Sequence, residues 1–92
     1  KNFSMSNYPN PFGKTTTILY NLPEGGHVKL VLTDLPGSTL RTLEDQVQPD
    51  GIHTFVVDPA ALNMAPGVYL YKLIFDNATD AYTKVNKMVF TR

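Results

Sequence analysis

A turn signal interrupts this chain about every ten residues, and that spacing decides what it can fold into. Pro9-Asn10-Pro11, Pro23 with Gly25-Gly26, Pro36-Gly37, Pro49-Asp50-Gly51, Pro66-Gly67 and Asp76-Asn77 leave no interval for a helix of ordinary length. The intervals are rich in β-branched and aromatic residues, which favour a pleated, half-buried surface. The densest follows Pro66-Gly67. In it Tyr69, Tyr71, Leu73 and Phe75 point one way, and Val68, Leu70, Lys72 and Ile74 the other. Both faces are largely apolar, which predicts a central strand. A chain of 92 residues makes one domain. The expectation is therefore all-β, an immunoglobulin-like Greek-key β-sandwich of about seven antiparallel strands. An OB-type barrel would want a longer helix and a more basic face.

In chain order, residues 1–7 read as a linker or short edge strand ahead of a sandwich spanning 8–92. Tyr8 and Phe12, in a loop stiffened by Pro9 and Pro11, are expected to plug one end of the core. Residues 15–22 form a strand with Thr16, Ile18, Tyr20 and Leu22 on one face, and residues 27–33 one with Val28, Leu30 and Leu32 inward. The Gly25-Gly26 pair between them predicts a hairpin. Residues 39–43 are a short edge strand and 44–51 a polar loop. Residues 52–58 are a strand carrying His53, Phe55 and Val57 on one side, and 59–65 a single helical turn that tucks Leu62 under the sandwich. Tyr69, two residues after Gly67, is placed to make a tyrosine corner or simply to pack its ring. Residues 81–90 form a final strand ending at solvent, where Lys84, Lys87 and Arg92 discourage pairing with other chains.

Eight basic residues balance eight acidic ones, so no overall field draws nucleic acid. Without cysteine there is no disulfide or thiolate chemistry, and no apolar run approaches the roughly 20 residues that span a bilayer. A first residue of Lys1 rather than Met suggests a piece of a longer protein. Material for catalysis is thin. Ser38, His53 and Asp58 are the nearest approach to a triad, but positions 53 and 58 fall on opposite faces of a regular strand. His53 is expected to be partly buried and bonded to backbone. Glu44, Asp45 and Asp50 lack the alternation of a calcium loop. Asn2-Phe3-Ser4 and Asn77-Ala78-Thr79 are sequons of the kind that arise by chance. No enzyme activity, cofactor or metal is expected.

Four stretches, in this order, carry a resemblance: Tyr8-Pro9-Asn10-Pro11-Phe12 with Thr15-Thr16-Thr17-Ile18, then Gly51-Ile52-His53, then Pro66-Gly67-Val68-Tyr69-Leu70-Tyr71, then Lys87-Met88-Val89. Together they resemble the type A C-terminal sorting domain of proteins exported by the type IX secretion system of Bacteroidetes, a family similar to the immunoglobulin-like domain of the flagellar hook-capping protein. Asp34, Leu35, Gly37 and Asp58 also fall where that family has a turn and a strand end. Gly13-Lys14 and Pro36 depart from its pattern. The resemblance implies a non-catalytic address: a domain following an N-terminal cargo, read by the outer-membrane translocon, a shuttle protein and a sortase, and delivered through the periplasm and outer membrane to the cell surface or the medium. Carried onto this sequence, the recognition elements are Pro66, Gly67 and Tyr69 with Lys84, Lys87 and Arg92. Tyr8, Pro9, Pro11, Phe12, Tyr69 and Tyr71 are structural.

Two other readings stand beside it. An accessory spacer or weak carbohydrate-binding module of an extracellular hydrolase would use exposed aromatics, with Tyr8, Tyr82 and Phe90 as candidates. A structural module like the hook cap would self-associate.

Overall fold

The computed structural model describes residues 3–92. Seven strands and one turn of helix follow in order: β1 (Ser4–Tyr8), β2 (Thr16–Leu22), β3 (Gly26–Thr33), β4 (Thr39–Gln48), β5 (Gly51–Val57), α1 (Pro59–Leu62), β6 (Gly67–Asp76) and β7 (Ala81–Phe90). They make two antiparallel sheets, β1-β2-β5 and β4-β3-β6-β7. The chain crosses between sheets after β2, β4 and β5, so the domain is a β-sandwich with Greek-key connections. Among the described residues, no helix is long and apolar enough to cross a membrane.

Alternation along each strand places the core. Ile18, Tyr20 and Leu22 of β2 meet Val28, Leu30 and Leu32 of β3, Tyr71, Leu73 and Phe75 of β6, and Met88 and Phe90 of β7, all buried. β6 lies between β3 and β7, the central position its two apolar faces call for. Two tyrosines cross the core in opposite directions. The Tyr20 hydroxyl of the three-stranded sheet donates to Gln48 Oε1 on β4 (2.7 Å), and the Tyr71 hydroxyl of the four-stranded sheet donates to Asn7 Oδ1 on β1 (2.8 Å). Each fastens an edge strand of the opposite sheet, and burial pushes both phenols above their ordinary range.

The structure corrects three expectations. β2 and β3 do not form a hairpin: β2 is paired on both edges, by β1 and β5, and residues 23–25 carry the chain over to the other sheet. Neither Gly25 nor Gly26 has the positive φ that a tight hairpin turn demands. Gly26 answers to close packing instead, since a Cβ there would lie 2.6 Å from the Phe75 ring and 2.7 Å from the Asp76 carbonyl oxygen. Second, the segment expected as a polar loop at 44–51 is mostly strand, because β4 runs on to Gln48. Register shifts leave Leu43 and Leu40 unopposed on β3, and these two bulges erase the alternation by which a strand is recognised. Third, Tyr8 does not plug the core. It is 82% exposed on the outward face of β1, while Phe12 alone is buried.

Candidate partner-recognition site

Residues 8–12 and the end of β7 are built as one unit. Asn10 bonds β7 twice, donating from Nδ2 to the Lys87 carbonyl (3.0 Å) and accepting the Val89 N–H on Oδ1 (3.0 Å). The Phe12 N–H donates to the Val89 carbonyl (2.9 Å), and the Thr91 N–H donates to the Phe12 carbonyl (2.8 Å). The rings of Phe12 and Phe90 stack with centroids 5.3 Å apart. Pro9 and Pro11, both in cis peptides, shape the loop that brings Asn10 to the strand. Behind it a polar network joins the sheets: Thr16 donates to the Pro9 carbonyl (2.8 Å), Asn7 donates to the Thr16 hydroxyl (3.0 Å), and Asn86 Nδ2 reaches the Met5 carbonyl (2.6 Å). Every buried side-chain polar atom among the described residues is satisfied, so this end of the sandwich is ordered by matched hydrogen bonds.

β6 completes the surface. Gly67 pairs with Phe90 and Tyr69 with Met88. The Tyr69 hydroxyl donates to the Ala65 carbonyl, the corner geometry, and ties down the loop that carries Pro66. Pro66, Lys87 and Arg92 are exposed here. Arg92 borders an open cleft of about 580 Å³ together with Lys14, Asp58, Asn63 and Met64. Lys14 is the residue that sequence reasoning missed, because it lies far from Arg92 in the chain and only the docking of residues 8–12 on β7 brings the two cations to one cleft.

The remaining residues singled out from sequence are dispersed. Lys84 lies on the β7 face that also carries Asn86, Met88 and Phe90, whereas Lys87 lies on the other, so Lys84, Lys87 and Arg92 make no single basic patch. Residues 87–91 already bond the 8–12 loop, which leaves shape and charge at this edge and little free backbone. Gly51 pairs with Leu22 at the far end of the three-stranded sheet. The triad stays apart: β5 keeps an unbroken register with β2, the Asp58 carboxylate caps α1 through Ala60 N–H (3.1 Å), and His53 Nε2 lies 2.8 Å from the Pro49 carbonyl, which fixes the proton on that nitrogen. His27 lies between Asp45 (2.7 Å from Nε2) and Asp76 (3.7 Å from Nδ1), and no group of His, Asp or Glu side chains among the described residues is arranged to hold a metal ion. Nor do the aromatics form one sugar platform, since Phe90 is buried and Tyr82 stacks on Phe3 and packs at a tilt against Phe75. Asn77 uses its amide to bond Gly25 (3.0 Å) and to close its own turn; Asn2 lies outside the described residues.

No family model, curated protein or solved structure matches this chain.

Proposed function

We propose that this domain is a non-catalytic export address that directs an N-terminal cargo through the type IX translocon to the cell surface or the medium, where shuttle protein and sortase read its folded surface. The support is the sequence resemblance together with one observation. Three of the four stretches that carry it, around Tyr8–Phe12, Pro66–Tyr71 and Lys87–Val89, lie far apart in the chain and meet at one end of the sandwich. There Phe12, Tyr71 and Met88 are buried while Tyr8, Asn10, Pro66 and Lys87 are exposed, so the same stretches that fill the core also put a composite of loop, corner and strand end at the surface. In this reading Pro66, Lys87, Arg92 and Lys14 are the contact residues, and docking works through shape and charge.

The test is a reporter fused ahead of this chain, with a periplasmic signal, in a type IX host. Removing residues 81–92 is uninformative, because Met88 and Phe90 leave the core with them. The double variant Lys87→Glu, Arg92→Glu changes exposed charge alone. It is expected to hold the reporter in the periplasm while the thermal melt of the isolated domain stays unchanged. Normal export of the variant would remove these cations from the recognition site. A wild-type fusion that never leaves the periplasm would end the functional reading itself.

A further inference from the structure

A β-sandwich of this kind has four edge strands, and three of them here are protected. β7 has its C-terminal half bonded to residues 8–12. β1 has five residues, is followed by Pro9, and gives its Met5 carbonyl to Asn86. β4 is bulged twice and carries Arg41, Glu44 and Asp45. Short length, proline, bulges and charge are the devices that stop one sheet from adding to another. β5 has none of them within the strand, Pro49 and Pro59 standing beyond its two ends. Its seven residues, Gly-Ile-His-Thr-Phe-Val-Val, contain no Lys, Arg, Asp, Glu or Pro, keep an unbroken register with β2, and have no strand on the other side among the described residues. The helical turn after it leads away, with Leu62 and Met64 bordering Leu32, Leu40 and Tyr69 of the other sheet.

We infer that the free edge of β5 pairs with β5 of a second copy of this chain, antiparallel about a two-fold axis at Thr54, joining two three-stranded sheets into one of six. The sequence of the strand selects this occupant. With Thr54 opposite Thr54 of the second copy, Ile52 falls opposite Val56 and Val56 opposite Ile52, while His53 meets Phe55 on the inner face. Ile52 and Val56 are 69% and 58% exposed in the single chain, large apolar side chains with no partner across the edge. Aliphatic and Thr–Thr pairs directly opposite one another are favourable cross-strand contacts. No Lys, Arg, Asp or Glu lies within the paired segment to oppose them. Just outside it, Asp50 comes opposite Asp58 of the second copy at both ends. That repulsion confines the pairing to this register and length, and makes association tighten as salt rises.

A single strand pair lies at the small end of the interface range, so the dimer is weak, with a dissociation constant on the order of 100 µM. Sedimentation velocity of the whole chain between about 10 µM and 1 mM brackets that value. The expected result is a reversible monomer–dimer equilibrium, shifted toward dimer by added salt. Thr54→Lys places two like charges on the axis and is expected to abolish the dimer while leaving the melt unchanged. The chain lacks cysteine, so Thr54→Cys supplies a single thiol. Mild oxidation should link it across the axis far faster than Thr83→Cys on the β7 edge. A chain monomeric throughout that range, an association untouched by Thr54→Lys, or equal crosslinking at positions 54 and 83 would each overturn the proposal.

Discussion

The two sheets are alike on the inside and opposite on the outside. Inward, each contributes aliphatic rows and one tyrosine whose hydroxyl is held by an amide of the other. Outward, the three-stranded sheet presents Ser4, Ser6, Tyr8, Thr17, Leu19, Asn21, Ile52, Thr54 and Val56 without a charge, whereas the outward positions of the four-stranded sheet carry Lys29, Asp45, Lys72, Asp76 and Lys87. A net charge of zero therefore conceals a segregated surface. The consequence is visible at apolar residues that face outward. Val31 on β3 is only 2% exposed, beside the half-buried Lys72 on β6. A lysine stem covers its neighbour and keeps its ammonium in water. Ile52 and Val56 have no such neighbour and stay bare. One outer face is finished against water, and the other is left for contact.

The largest effects should be equal in the two sheets. Ile18→Ala and Leu73→Ala each remove a fully buried side chain from the shared core, and each should cost about 2–5 kcal/mol in a denaturant titration. If one of them fell within about 0.5 kcal/mol of wild type, as surface substitutions do, the sheets would not share one core and the inward half of the comparison would fail.

The next effect emerges only at alkaline pH and tests the reciprocal tyrosines. Tyr20 is pushed above its ordinary value of 10.0 by burial first, with Glu44 adding to it and the Gln48 hydrogen bond opposing. For Tyr71, burial raises and the bond from Asn86 lowers. A raised phenol pKa in the folded state means that above pH 10 the unfolded chain loses protons which the folded chain retains. Stability is then unaffected by these groups through neutrality and falls as pH climbs past 10. Replacing either tyrosine by Phe should flatten that alkaline decline, one sheet at a time. Denaturation midpoints against pH check it, and an unaltered slope in the double variant would assign the decline to other groups.

What the sequence revealed follows the same division between local pattern and long-range contact. β6 was legible because its ten residues alternate without interruption between Gly67 and Asp76. The outer residues of β5 were legible for the same reason. β4 was not, since bulges at Leu40 and Leu43 break its period, and its charged residues on an exposed edge look like those of a loop. The false hairpin came from reading Gly25-Gly26 as a turn, when the constraint on Gly26 is the Phe75 ring, about fifty positions away in sequence. Tyr8 was misplaced because proline neighbours say where a chain bends and nothing about which face it turns to the core. The site was legible as motifs. That residues 8–12 occupy the edge of the last strand depends on bonds from Asn10 and Phe12 to residues far along the chain, which no local pattern announces.

The smallest effects decide the outward half of the comparison. Lys72→Ser keeps a polar group on the four-stranded sheet but removes the stem beside Val31, so about 1 kcal/mol should be lost although no ion pair or core contact is cut. Thr54→Lys adds a charge to the bare face of the three-stranded sheet at an exposed position, and stability should stay within about 0.5 kcal/mol. Charge addition on one face is then nearly free, while charge removal on the other is not, because lysine acts there as apolar cover. Chemical denaturation of both variants at a concentration below self-association separates the two terms. Equal and negligible costs would mean that the lysines serve solubility alone, and that Val31 is buried by strand packing without help from its neighbour.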